Sequence, residues 1–453
     1  MTSARAGKQH PVVLFQPREE WFAVPLGLLA IGSWLTEEHV IIVDGRFELA
    51  PEARVVELAK EALCLGVTVR TGRPLQEARR VSAAARGANP RLPILWGGPH
   101  ARLAPGSCLE TGLVDACVRG AGEEALAGAV EASQAGQSLE TVPGLTLPGG
   151  AFAPPGPLSP PESDRLPRAQ YGLVDLERHF EARGARRLDY CSSRGGRGGA
   201  GTPWSGLPAE RVVAEVLELG ERYRLSEVLF QDEDFFADTA RVGRIARGLL
   251  DARSGLAWRA GAETQDILGG TEEDLRLLAV SGCRQVLLRV PPGALYGGSG
   301  HERVLEIANR LRTADLPARF SFELTEPGPR GERLSAACRL ARALAALDGR
   351  FETPIRRVPA LVPAEEPLAL KEWASRADAP WSNRRRERKL ARVAFFFDVA
   401  QRAPVRRPRH HILRLLALVR VRLGFFALDL DRLAAKASAI VRTGRPRGLG
   451  SGD

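Results

Sequence analysis

Short apolar runs alternate with amphipathic stretches over residues 11 to about 145, and no other feature constrains the fold so strongly. Val12-Val13-Leu14-Phe15, Val40-Ile41-Ile42-Val43-Asp44, Leu65-Gly66-Val67-Thr68-Val69, Ile94-Leu95-Trp96 and Ala116-Cys117-Val118 read as five strands. Helical patterns separate them: Leu26 to Leu35 after Pro25, Pro51 to Leu63, and Leu75 to Arg86. Proline at a first helical position is tolerated because its missing N–H would be unpaired there anyway. A helix between successive strands carries the chain back to the same end of the sheet, so the strands run parallel with helices on both faces. The expected fold class is therefore α/β, beginning with a Rossmann-like (flavodoxin-like) sheet over 1–142.

A second series starts near Arg187-Leu188-Asp189-Tyr190. Its further strands are expected at 227–230, 257–260, 285–288, 319–322 and 353–356, with helices at 209–223, 239–252, 272–280 and 302–312. About six strand–helix units in about 180 residues are too few for an eight-fold barrel of about 250 residues. A partial (βα)6 TIM-type barrel over 185–368 is expected instead. Between the two series lies a proline-rich linker (143–184), with Pro154-Pro155-Gly156-Pro157 and Ser159-Pro160-Pro161. Residues 369–453 read as helical and basic, with Arg384-Arg385-Arg386-Glu387-Arg388-Lys389. Such a terminus offers peripheral contact with a surface, but Arg414, Arg420 and Arg422 interrupt its apolar run and favour packing on the barrel.

Composition narrows the function. The 453 residues are 44% hydrophobic and 26% charged, as in a soluble globular protein. The net charge of +10 comes from arginine spread along the whole chain, so a nucleic-acid footprint is not expected. No uncharged run approaches the roughly 18–20 residues of a membrane span, and nothing at the N-terminus reads as an export signal. The six cysteines (Cys64, Cys108, Cys117, Cys191, Cys283, Cys338) include no Cys-x-x-Cys pair, so neither a disulfide framework nor a zinc site is expected. A cytoplasmic protein acting on a small molecule fits these numbers; which molecule is not written in any motif.

Glycines punctuate the carboxyl ends of the first strands. Trp96-Gly97-Gly98-Pro99-His100 follows the fourth strand, and Arg119-Gly120-Ala121-Gly122-Glu123-Glu124 follows the fifth. Paired glycines let a backbone approach a flat ligand closely, and ligands of open parallel sheets sit at this edge. With Pro25-Leu26-Gly27 and Thr68-Val69-Arg70-Thr71-Gly72, the order of turns resembles the cobalamin-binding domain of cobalamin-dependent radical S-adenosylmethionine (SAM) proteins. Ala121 stands where that family has glutamate. The resemblance implies cobalamin over the strand ends, bound by Thr68, Arg70, Thr71, Gly72, Gly97, Gly98, Pro99, His100, Gly120, Gly122 and Glu123. The Asp-x-His-x-x-Gly motif of cobalamin mutases is absent, so His100 reads as a turn residue rather than a cobalt ligand.

The resemblance continues at Asp189-Tyr190-Cys191-Ser192-Ser193-Arg194-Gly195. In the family, Ser-Arg-Gly runs into Cys-x-x-x-Cys-x-x-Cys, which holds a four-iron four-sulfur cluster whose fourth iron chelates SAM. Here Gly196, Ala200 and Pro203 occupy the three cysteine positions, and none can ligate iron. Asp232, Glu233, Asp234 and Arg259 resemble the family's SAM region, while Arg289-Val290-Pro291-Pro292 replaces its Gly-x-Glu-Ser. The glycine-rich run 195–201 lacks the Gly-Lys-Ser/Thr ending of a phosphate-binding loop.

Three readings stay open. The chain is a family member with an altered cluster loop, through a local reading-frame change or otherwise; the family's chemistry is radical methyl transfer or carbon-skeleton bond formation. It is a pseudoenzyme binding cobalamin, with SAM as a further candidate ligand, as a sensor or partner subunit. Or it is a barrel enzyme using Asp232, Glu233 and Asp234 without iron.

Overall fold

The computed structural model describes residues 10–19, 22–120, 122–150, 166–196, 203–290, 294, 298–325, 331–352 and 355–358. Packing divides them into two compact units, one running to Gly261 with Val280–Cys283, the other formed by Ala262–Ala279 and residues from Arg284 on. The basic segment 369–453, with its expected helices, lies outside the described residues.

The first unit opens with β1 (Val12–Gln16), α1 (Leu26–Trp34), β2 (Val40–Asp44), α2 (Pro51–Ala59), β3 (Cys64–Thr68), α3 (Arg73–Ala88) and β4 (Ile94–Gly97). Two short helices, α4 (Pro99–Leu103) and α5 (Pro105–Leu109), lead to β5 (Ala116–Val118), α6 (Gly122–Ala135) and β6 (Leu145–Thr146). The sheet order is β2-β1-β3-β4-β5-β6, parallel except for β6, which pairs antiparallel with β5. This is the flavodoxin-like order, whose switch point lies between β1 and β3. Strands β1, β3, β4 and β5 are buried on both faces, so their sequences are apolar rather than alternating, whereas the edge strand β2 is mostly half-buried. Val13, Phe15, Val67 and Trp96 belong to the core packed with α2 and α3, whereas Val12, Leu14, Leu95 and Val118 belong to that packed with α1 and α6. Trp96 completes the former core by donating its indole N–H to Ser82 Oγ at 2.9 Å.

Part of the span expected as linker is regular structure. Residues 151–165 lie outside the description, but α7 (Leu176–Arg183) begins with Asp175 accepting the Arg178 N–H as its cap. Tyr171, Leu176 and Phe180 are buried with Val24, Leu29 and Leu188 in a core of their own. Next come β7 (Arg187–Tyr190), a two-stranded antiparallel ribbon of β8 (Ser193–Arg194) and β9 (Ser205–Gly206), α8 (Ala209–Arg222), β10 (Glu227–Phe230), α9 (Thr239–Asp251) and β11 (Ala257–Ala262). Strands β7, β10 and β11 are parallel, with Arg187 beside Glu227 and Glu227 beside Ala257. The aromatic rings of Tyr190, Phe230, Phe235 and Trp258 pack together on one face.

The second unit holds α10 (Thr264–Gly269), most of α11 (Glu272–Val280) and most of β12 (Cys283–Val290), followed by α12 (Ser299–Thr313), β13 (Ala318–Thr325), α13 (Gly331–Leu347) and β14 (Ile355–Val358). Strands β12, β13 and β14 are again parallel neighbours. A capping box between Glu263 and Asp266 starts α10, and Arg310 donates to the carbonyls of Leu268, at 2.7 Å, and Gly270 at its end.

Candidate functional site

The turns after β3, β4 and β5 meet at the carboxyl edge of the first sheet. Gly98 has φ +91°, and a Cβ there would stand 2.8 Å from Thr68 Oγ1 and 3.1 Å from the Val69 carbonyl. Only glycine fits this turn, which brings the loops after β3 and β4 into backbone contact. Gly66, in the middle of β3, is less constrained: its missing Cβ would lie 2.9 Å from Leu14 Cδ2, the mobile end of a side chain. At the start of α6, a Cβ on Gly122 would meet Ile31 Cδ1 at 2.7 Å.

Together these glycines help to floor an open cleft. Its walls are apolar side chains from β1, α1, β4, β5 and α6: Leu14, Leu28, Ile31, Leu95, Val118 and Leu126. Gly27, Gly97 and Gly120 add backbone surface, and Thr68, Arg102, Glu123 and Glu233 add polar groups. The opposite wall comes from the β8–β9 ribbon through Arg194 and Gly195. An open, largely apolar cleft lined by glycines and a few polar groups suits a large ligand carrying polar substituents.

The base of the ribbon is held by side chains. Asp232 Oδ1 accepts the Ser192 N–H at 3.0 Å and the hydroxyls of Ser192 and Ser193 at 2.9 and 2.5 Å. Arg241 donates Nη2 to the Ser192 carbonyl at 2.8 Å and Nε to the Leu207 carbonyl at 2.6 Å, clasping both strands where they enter and leave. Burial raises the Asp232 carboxyl above the usual range and lowers the Arg241 guanidinium. Trp204 packs over Arg241, its ring 5.8 Å from the guanidinium, and donates its indole N–H to the Asp234 carbonyl.

These residues do not fit an iron–sulfur cluster. Gly196 and Pro203 have no thiol, and Ala200, outside the described residues, has only a methyl group. The Cys191 thiol donates to the Ser193 carbonyl at 3.0 Å, and burial pushes its pKa up to about 12. Among the described residues no group of three His, Cys, Asp or Glu side chains is placed to hold a metal ion.

The expected cofactor residues separate into two groups. Thr68, Gly97, Gly98, Gly120, Gly122 and Glu123 line the cleft. Arg70 points to Glu19, which it meets at 3.0 Å, and Gly72, at φ +103°, precedes α3. Pro99 opens α4, and His100 behind it is wholly buried, its Nδ1 sharing a hydrogen bond of 3.1 Å with Thr71 Oγ1. Its ring also acts on Cys108, whose thiol is lowered first by the neighbouring Cys117 and then by His100. Of the expected SAM region, Glu233 reaches the cleft and Asp232 serves the ribbon. Arg259 instead pairs at 2.6 Å with Glu227, at the opposite end of β10. Gly27, Arg194 and Gly195, which belong to the resemblance's motifs but not to its expected cofactor residues, also line the cleft, as do Leu14, Leu28, Gly66 and Arg102, which no motif marks. The signal for Gly66 was available, since a glycine inside a strand marks a close approach.

Residues 22–130, which include the cleft's glycine turns, match the family model described as B12 binding domain. An uncharacterized methyltransferase of Pyrococcus horikoshii is 25% identical over 342 residues, 71% of this chain and 73% of the relative. Among solved structures, the radical S-adenosylmethionine methyltransferase TsrM from Kitasatospora setae matches with TM-score 0.61 and 20% identity, covering 76% of this chain and 72% of its own. The cobalamin-dependent S-adenosylmethionine radical enzyme OxsB matches with TM-score 0.66 and 12% identity, covering 98% and 77%. Residues 22–130 thus carry a B12 binding domain, and the chain shares its fold with these cobalamin-dependent radical SAM enzymes.

Proposed function

We propose that this chain binds cobalamin in the glycine-floored cleft and does so without an iron–sulfur cluster, as a sensor or partner subunit rather than a radical enzyme. The observation that carries the reading is the convergence of Thr68, Gly97, Gly98, Gly120, Gly122 and Glu123 on one cleft. On this reading residues 1–142 are the cobalamin-binding domain and 185–368 a scaffold in which the ribbon stands where the family has its cluster loop. Cobalamin, when bound, supplies a cobalt centre able to carry a methyl group. The chain's own residues bind and orient it. The glycine turns would admit the ring, Leu14, Leu28 and Leu126 would keep water from it, and Thr68 and Arg102 would offer hydrogen bonds to its polar substituents. His100 is not offered as a cobalt ligand, because it is enclosed behind the turn.

TsrM is described with cobalamin and a [4Fe-4S] cluster, and with a SAM analogue. For SAM this chain offers Glu233 and Asp234 but no cluster iron. Iron-free chemistry by the three carboxylates is not favoured, since Asp232 is buried and bonded to the ribbon. The test is to mix the purified chain with hydroxocobalamin and, separately, to attempt anaerobic reconstitution with iron and sulfide. Corrin absorbance should travel with the protein through gel filtration, while iron stays well below four per chain. Stoichiometric iron and sulfide would overturn the cluster-free reading.

A further inference from the structure

Glu123 and Arg194 line the cleft from opposite sides and meet at 3.0 Å. Glu123 belongs to the first turn of α6 and its side chain is only 7% exposed, whereas Arg194 stands on the ribbon. The same two residues also line a second, narrower cavity that continues past Tyr190, Cys191 and Ser193. The ion pair therefore borders both spaces. It also ties the ribbon to the sheet edge proposed to carry the corrin. On their other side Ser192 and Ser193 are held by Asp232, so Arg194 is the ribbon's attachment toward the cleft.

A buried carboxylate deprived of its partner is costly, so Glu123 holds Arg194 firmly only while the ribbon is seated. A corrin filling the cleft would shield the pair from water, and a pair in a drier site attracts more strongly. We propose that Glu123 and Arg194 form a latch through which cobalamin occupancy fixes the β8–β9 ribbon in place. Linkage makes the effect reciprocal: seating the ribbon completes one wall of the cleft and tightens cobalamin by the same factor. In the absence of a cluster, this gives the ribbon a ligand-dependent state that a partner could read. The inference rests on the cobalamin reading above.

The test is a double-mutant cycle on the full chain with hydroxocobalamin as probe, followed by absorbance and by hydrogen exchange of residues 192–207. Glu123→Gln and Arg194→Gln should each weaken binding by about tenfold, within the usual range of coupling between sites. The double variant should bind no worse than either single one, and Arg194→Lys should recover most of the loss. Cobalamin should slow exchange across the ribbon in the parent chain but not in Glu123→Gln. Additive losses, or ribbon protection unchanged in Glu123→Gln, would sink the latch while leaving cobalamin binding intact. A parent chain that takes up no corrin would remove both, and the missing absorbance would tell the two failures apart. Arg194→Gln, at a partly exposed site, keeps the test available if Glu123→Gln does not fold.

Discussion

Asp189 Oδ2 accepts the backbone N–H of Val24 at 2.8 Å, joining positions 165 residues apart. The same wholly buried carboxylate accepts from Arg183 and, through Oδ1, from Gln231 at 2.7 Å. Val24 leads directly into α1, whose Gly27 and Leu28 line the cleft, so a strand-borne carboxylate sets where one cleft wall begins.

Removing that carboxylate should be severe. Asp189→Ala strands the Val24 N–H and leaves Arg183 without its buried partner, and it should cost about 3–5 kcal/mol, as for a broken buried pair. Asp189→Asn keeps one acceptor for Val24 and should cost less. Urea unfolding of both variants ranks them; equal losses would mean that the charge alone matters.

Gly98 should tolerate no side chain. At φ +91°, with Thr68 Oγ1 2.8 Å from the missing Cβ, Gly98→Ala combines backbone strain with a clash and should cost at least about 2 kcal/mol. The neighbouring Gly97 has nothing nearer than Val118 at 3.7 Å, so Gly97→Ala should be much milder in thermal unfolding.

The contrast between these two glycines marks how far the sequence can be read. The alternation of apolar runs and helical stretches gives β1, β2, β4 and β5 within a residue of their observed ends; β1, β4 and β5 are apolar because both their faces are buried, and the half-buried edge strand β2 is apolar as well. The turn Trp96-Gly97-Gly98-Pro99-His100 was equally visible, but not which of its residues face the cleft. His100 turns into the core because Pro99 starts α4, which carries the next side chain behind the sheet edge. The β8–β9 ribbon and α7 were not legible. The ribbon has two residues per strand and depends on Asp232 and Arg241, contacts 34 to 49 residues apart in sequence. Helix α7 lies in a stretch whose neighbouring prolines suggested a linker, and it is secured by Tyr171 and Phe180 packing on Leu188.

Acid should weaken the fold through His179. Its ring is 1% exposed, Nδ1 lies 3.1 Å from the Phe22 carbonyl and Nε2 3.6 Å from Asp44, with Arg46 and Arg183 also acting on it. Burial, more than any other cause, lowers its pKa below the ordinary 6.5. Above pH 6.5 both folded and unfolded rings are neutral and the histidine's contribution is full. Below it the unfolded chain takes up a proton that the folded one resists, so stability falls with pH, by at most about 1.4 kcal/mol per unit. Urea midpoints at pH 7.5 and 5.5 should differ less in His179→Gln than in the parent; an equal difference would assign the loss to other groups.

The cluster positions can be tested by restoration. A Cβ on Gly196 would meet Asp234 Cβ at 3.6 Å, an ordinary contact, so cysteine fits there. Proline at 203 also fixes φ, making Pro203→Cys the change most disturbing to the backbone. Gly196→Cys/Ala200→Cys/Pro203→Cys should take up iron under anaerobic reconstitution where the parent does not. A triple variant without iron would mean that the ribbon has diverged in shape as well as in ligands.

Cobalamin is expected in the glycine-floored cleft, and Gly27 tests this most directly. A Cβ there meets nothing within 4 Å, yet the residue lines the cleft. Gly27→Phe should therefore fold normally while filling the space. Hydroxocobalamin should stay with the parent chain through gel filtration and be lost from Gly27→Phe at an unchanged unfolding temperature. Corrin retained equally by both chains would place the cofactor elsewhere, and corrin retained by neither would contradict the account.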